Sequence, residues 1–168
     1  SYTITDIAGA LVGDATLDAS REPQEGYIWY RKNGDLTISG DVSISGGKKV
    51  ILLVQGDLYI NSPISLESQD DFLMLIVGKR PVGTGGNIII NGSVTNLKGV
   101  FFADNNLTTG TSTNPLTIQG SVVANTISLR RTGTGTTPSE LFEYAPEIML
   151  NYPDVLNRTN LLWREVVP

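Results

Sequence analysis

Apolar and polar positions alternate in short runs along this chain, and one eight-residue run occurs four times. The copies are Asp35-Leu-Thr-Ile-Ser-Gly-Asp-Val42, Asp57-Leu-Tyr-Ile-Asn-Ser-Pro-Ile64, Asn87-Ile-Ile-Ile-Asn-Gly-Ser-Val94 and Pro115-Leu-Thr-Ile-Gln-Gly-Ser-Val122. The period is two, which predicts strands with one face on a core. The inward sets are Leu36, Ile38 and Val42; Leu58, Ile60 and Ile64; Ile88, Ile90 and Val94; and Leu116, Ile118 and Val122. Between the second and third inward positions stands Gly40, Ser62, Gly92 or Gly120. A small residue there suits a bend where the backbone crowds the core.

A nearly continuous apolar run precedes each copy: Tyr27-Ile-Trp-Tyr30, Val50-Ile-Leu-Leu-Val54, Phe72-Leu-Met-Leu-Ile-Val77 and Gly99-Val-Phe-Phe-Ala103. Runs this short, bracketed by glycines or charges, predict strands covered on both faces rather than helices. Val123 to Leu129 supplies a less apolar last strand. The repeating unit is thus apolar strand, turn, alternating strand, turn. Its length runs from 22 residues (Leu36 to Leu58) to 30 (Leu58 to Ile88) and 28 (Ile88 to Leu116).

A repeat of this size predicts an all-β fold, a short single-stranded parallel β-helix (β-solenoid) of four to five coils. The strict hexapeptide pattern of left-handed β-helices is absent, so right-handed winding is expected. An antiparallel sandwich explains the alternation but not the recurrence of the bend residue. The chain is expected to be one domain over residues 1–168. Residues 1–26 would be an N-terminal cap or linker, 27–131 the solenoid and 132–168 a small C-terminal cap. Short helical turns are expected in that cap, from Pro138 into Tyr144 and from Pro146 as a first helical residue. The cap is expected to cover an open end of the stack, where unpaired strand edges invite association.

The links between the two strands of each unit are uneven. They are Arg31-Lys-Asn-Gly34, then Gln55-Gly56, then nine residues from Gly78 to Gly86, then eleven from Asp104 to Asn114. In register, both long loops leave one corner, and insertions gathered on one corner of a solenoid are where binding surfaces form. The candidate binding residues are therefore Lys79, Arg80, Asp104, Asn105 and Asn106. Outward Ser39, Asn61, Asn91 and Gln119 would form a polar ladder suited to a glycan.

Composition narrows the chemistry. The net charge of −5 gives no electrostatic pull toward nucleic acid. The chain has no cysteine and no histidine, which removes disulfides, thiolate metal sites and histidine-based catalysis. Carboxylate chemistry of the polysaccharide-cleaving β-helix type would need two or three acids on one face. The nominees are Asp70, Asp71 and Asp104, on different corners, so no catalytic residue is assigned. Gly83-Thr-Gly-Gly86 lacks the Lys-Ser/Thr ending of a phosphate loop and precedes a strand. Asp104-Asn-Asn106 lacks calcium-loop spacing. No metal or cofactor is expected. Tyr27, Trp29, Tyr30 and Tyr59 read as core aromatics before a sugar platform.

The order Tyr27-Ile-Trp-Tyr, Asn33-Gly-Asp-Leu-Thr-Ile, Asn87-Ile-Ile-Ile-Asn-Gly and Gly99-Val-Phe-Phe-Ala resembles β-solenoid ectodomains of exported bacterial proteins of the type IV pilus-associated (minor-pilin-like) kind. Its most specific part is the ending: Glu140-Leu-Phe-Glu-Tyr-Ala-Pro146, Leu150-Asn-Tyr-Pro153 and Trp163-Arg-Glu-Val166. The resemblance spans about residues 27 to 168 and implies a surface protein without established catalytic residues. The expectation is a non-enzymatic, extracellular or cell-surface structural or adhesion protein. Its partners would be surface glycan or other copies of itself, and any membrane anchor would lie upstream of Ser1. The alternative is a polysaccharide-active enzyme or glycan-binding module.

Overall fold

In the computed structural model, which describes residues 3–12, 23–133, 136 and 138–156, every pairing between named strands is parallel. The chain is a β-solenoid of about six turns with a small helical C-terminal element. The parallel pairing excludes the sandwich. The polar stretch beginning at Ser20, the end of the Gly/Thr tract around Gly135 and the late segment Trp163-Arg-Glu-Val166 fall wholly or partly outside the described residues.

Among the described residues the turns build three faces. Face A stacks β1 (Thr5–Asp6), β3 (Ile28–Asn33), β6 (Lys49–Gln55), β9 (Phe72–Gly78) and the middle stretches of β11 (Asn96–Thr109) and β12 (Leu116–Ser128). Face B stacks β2 (Leu11–Val12), β4 (Leu36–Gly40), β7 (Leu58–Ile60), β10 (Ile88–Ile90) and the ends of β11 and β12. Face C stacks β5 (Val42–Ile44), β8 (Ile64–Leu66), the starts of β11 and β12, and β13 (Glu140–Glu143). The four predicted apolar runs supply face A. Strand pairing also carries the solenoid beyond 27–131 at both ends, through β1, β2 and β13.

The core is a set of columns. Leu36, Leu58, Ile88 and Leu107 align on face B, Val42, Ile64, Leu97 and Ile118 on face C, and Tyr30, Leu52, Leu75 and Phe101 on face A. All are buried. Coils about 4.8 Å apart bring each inward side chain against the one above it, and burying one such side chain stabilises by about 1.5–3 kcal/mol.

The register of the fourth repeat differs from expectation. Leu116 to Gln119 pair with β13 and with the start of β11, so this copy lies on face C. Its place on face B is taken by Leu107-Thr-Thr109, which stacks on Ile88–Ile90. The turns above Ile88 are therefore shorter than expected, which raises the count from four or five to about six. The stretch 104–114 is thus not an eleven-residue loop. The strand was hidden because its second inward residue is a threonine. Thr109 stands in line with Ile90, fully buried, with its hydroxyl hydrogen-bonded to Glu140 Oε1 at 2.9 Å. Alternation alone fits any of the three faces, so a matching phrase does not say which face it occupies.

The bend residues follow the same correction. Gly40, Ser62 and Gly92 sit at the corner between faces B and C, whereas Gly120 opposes Gly99 at the corner between C and A. Both Gly99 and Gly120 have positive φ (148° and 129°), and a Cβ on Gly120 would lie 2.1 Å from the Gly99 carbonyl oxygen.

The C-terminal segment also departs from expectation. The turn expected from Pro138 is instead strand β13, while Pro146 does open helix α1 (Pro146–Leu150). Among the described residues this segment descends the flank at the C-to-A corner. Ile148 is fully buried against Gly120, Lys98 Nζ pairs with Glu147 Oε1 at 3.2 Å, and Asn151 donates to the Gln69 carbonyl and accepts from the Tyr27 hydroxyl. The outward face A residues Trp29, Ile51, Met74 and Val100 are buried as well as the inward ones, so this sheet is covered on both sides, as its wholly apolar runs require.

The corner packing can be tested by substitution. Gly120→Ala should destabilise the fold by roughly 2–4 kcal/mol, through the steric clash and the positive φ, in denaturant titration. Gly46→Ala, which meets open space at a φ of 74°, should cost about 1 kcal/mol; equal effects would contradict the corner packing. The C-terminal strap gives a pH dependence. A backbone hydrogen bond at Glu147, and then Lys98, hold its carboxyl below the ordinary glutamate range. Arg31 does the same for Asp6, and the Ser43 and Ser65 hydroxyls for Glu67. A depressed folded-state pKa gives a contribution that is full above the unfolded value and lost as pH falls through the folded one. Melting temperature should therefore fall below about pH 4.5, and Glu147→Gln should flatten part of that slope while changing neutral-pH stability by about 1 kcal/mol or less.

Candidate functional site

The corner between faces A and B gathers the five sequence candidates. The same position in four successive coils is Asp35, Asp57, Asn87 and Asn106, each just before the first inward residue of face B. Their side chains form a ladder. Asp35 Oδ1 accepts the Asp57 backbone N–H at 2.7 Å; Asp57 Oδ1 accepts the Asn87 N–H at 3.1 Å and its side-chain amide at 2.7 Å. Asn87 Oδ1 accepts the Asn106 N–H at 3.3 Å and the Asn105 side-chain amide at 2.9 Å. Each rung satisfies a backbone donor where the chain turns out of one sheet and into the next.

Beside the ladder runs a stack of glycines. A Cβ on Gly56 would lie 2.6 Å from the Gly34 carbonyl carbon, and one on Gly85 would lie 2.9 Å from the Gly56 carbonyl carbon. The Gly83-Thr-Gly-Gly86 segment is thus the return limb of a tight hairpin, closed by Arg80 N–H to Thr84 C=O at 2.7 Å and Gly83 N–H to Arg80 C=O at 2.8 Å. Its tip residue Val82 is 82% exposed.

Lys79 and Arg80 leave this hairpin toward the ladder. Arg80 Nη2 donates to Asp35 Oδ1, two coils away, and Lys79 Nζ lies 3.9 Å from Asp104 Oδ2. Lys79, Arg80, Asp104, Asn105 and Asn106 therefore share one corner, each engaged inside the molecule. Arg80 places a positive charge over a column holding two neighbouring carboxylates, and the Asn87 amide caps the second. The corner reads chemically as a clasp.

The expected polar ladder on face B is shorter than drawn. Ser39, Asn61 and Asn91 align and are exposed, but Gln119 lies on face C and donates to Glu143 at 2.8 Å. Tyr59, in the same face, is 37% exposed, whereas Trp29 and Tyr30 are buried. Asp70 is exposed and Asp71 only 1% exposed. Asp71 accepts three backbone N–H groups, from Gly47 (2.8 Å), Lys48 (3.1 Å) and Ser68 (2.7 Å). It fixes the turn into β9, while Asp104 stands at the corner beyond that strand. Among the described residues no group of three or more acids is placed to hold a metal ion.

One polar cluster was not anticipated. At the B-to-C corner Arg131 is buried and donates to the carbonyls of Asn114 (3.0 Å) and Asn91 (3.1 Å), while its backbone N–H and the Thr109 hydroxyl both donate to Glu140 Oε1. Burial pushes the guanidinium pKa down and the Glu140 charge opposes the shift. The cluster ties the fourth, fifth and sixth turns at a corner where Gly110 N–H reaches the Ile90 carbonyl. The signal in the sequence was the pair of consecutive arginines ending the last strand, which is too common to weigh.

No family model, curated protein or solved structure matches this chain. Among the described residues no helix is long and apolar enough to cross a membrane.

If the ladder holds the coils, its rungs must matter more than its counter-charge. Asn87→Ala leaves the half-buried Asn106 N–H and Asn105 amide without their acceptor and should cost roughly 1–3 kcal/mol. Arg80→Ala removes a half-exposed ion pair and should cost about 1 kcal/mol or less. Chemical denaturation of both variants checks the order; a larger effect at Arg80 would contradict it.

Proposed function

We propose that this chain is a non-enzymatic scaffold of the cell surface or extracellular space, an adhesive or structural module whose flat solenoid exterior meets a surface glycan. The single observation that carries this reading is the division of labour among the polar side chains. Those at the corners, including every acid nominated for catalysis except Asp70, bond inward to backbone or to one another. Those on face B, Ser39, Asn61 and Asn91 with Tyr59 beside them, are exposed at the coil spacing, and of these Asn91 also closes a turn, its Oδ1 accepting the Ser93 N–H and hydroxyl at 3.0 Å each. A row of amides and hydroxyls about 4.8 Å apart with a half-exposed aromatic ring suits the hydroxyls and apolar faces of an extended sugar chain. The resemblance to pilus-associated ectodomains supports the same setting.

The test is a glycan array probed with the full chain, alongside a Tyr59→Ala, Asn61→Ala double variant. Wild type should bind, and the variant should lose about tenfold in affinity, or about 1.4 kcal/mol, with its melting temperature kept. Release of reducing ends from any acidic polysaccharide, abolished by a carboxylate substitution, would instead establish the enzyme.

A further inference from the structure

The sixth turn, formed by residues 121–128 and 140–143, ends the stack, and among the described residues nothing pairs with its outer edge. Its inward side chains continue the core columns into solvent. Val122 stands above Phe101, Ile127 above Leu107 and Phe142 above Ile118. Ile127 is 44% exposed and Phe142 43%, whereas the residues beneath them are buried. The two ends of the stack are not alike. Ser121-Val-Val-Ala-Asn-Thr-Ile-Ser-Leu129 carries no charge, proline or glycine, the devices that normally guard a strand edge. The first turn is guarded, with strands β1 and β2 of two residues each, an aspartate in one, and Gly9 between them.

We propose that this end binds a second copy of the same end, giving a closed two-fold dimer rather than an open filament. Strand register carries this pairing, whatever the exterior binds. A two-fold axis across the stack, through the A-to-B corner and the middle of face C, lays face A of one copy on face B of the other, antiparallel. Centred between Ala124 and Asn125, it sets Val122 opposite Ile127 of the second copy, Val123 opposite Thr126 and Ser121 opposite Ser128. Inward residues thus meet inward residues on both faces. On face C the same axis sets Phe142 opposite its own copy and Leu141 opposite Glu143, so no two glutamates of β13 face each other. The contact is isologous and closes on itself, and it pairs the free backbone groups of both edges. The unguarded end meets its like, so the guarded end is not needed and a chain of copies does not propagate.

Mass photometry and sedimentation of the full chain should find a dimer at micromolar concentration and no larger species. Ile127→Lys and Phe142→Lys, with circular dichroism confirming the fold, should each raise the dissociation constant at least about tenfold. The chain has no cysteine, so Phe142→Cys alone should give an interchain disulfide on oxidation, whereas Val82→Cys in the corner hairpin should not. This crosslink keeps the test decisive if the lysine variants fail to fold. A monomer throughout the micromolar range, as when the chain's own residues 157–168 cover the end, overturns the proposal. So do assemblies that lengthen with concentration, or a Phe142→Cys protein that crosslinks no better than Val82→Cys.

Discussion

The fold depends on keeping successive parallel coils in register. A hairpin fixes its register by its turn, but a parallel coil returns to the same face only after about 20 to 30 residues. A slip of one residue would turn every inward leucine and isoleucine outward. The ladder of Asp35, Asp57, Asn87 and Asn106 answers this at one corner, because the side chain of each of the first three accepts the backbone N–H of its counterpart one turn on. The glycine stack beside it lets the backbones approach closely enough for that bond. The columns on the three faces then supply most of the burial, and the flank segment from Ala145 to Asn151 packs at the C-to-A corner, on Gly120, Lys98, Gln69 and Tyr27.

This ordering accounts for the charge gathered at the corner. Arg80 and Lys79 reach across turns to Asp35 and Asp104, so the hairpin at 78–86 clips neighbouring coils together. Asp71 performs the corresponding task at the opposite corner with three backbone donors. Polar groups that serve the backbone in this way are costly to redirect toward a ligand, since each would leave an orphaned donor behind.

Much of the fold was legible because apolar alternation records burial directly. The inward sets through Ile90 and the four face A runs are where the pattern placed them. Legibility ended where polar residues took inward or corner positions. Thr109 occupies a core column with its hydroxyl satisfied, so its strand read as loop, and the fourth copy of the repeat was assigned to the wrong face as a result. The five corner candidates do lie at one corner, where loop 78–86 runs beside Asp104 and Asn105. Their bonding was not visible, since it depends on the side chain of one turn meeting the backbone of the next. The Gly-Asp or Gly-Asn pair before each face B strand, at residues 34–35, 56–57 and 86–87, was the available sign.

The most direct measurement of the central claim is residue-resolved amide hydrogen exchange under native conditions. If the ladder locks the register, the amides of Asp57, Asn87 and Asn106 should exchange as slowly as core strand amides such as that of Leu52, opening only with global unfolding. Exchange at these three sites as fast as at exposed Val82 in the hairpin tip would contradict the account and leave the core columns alone to hold the coils.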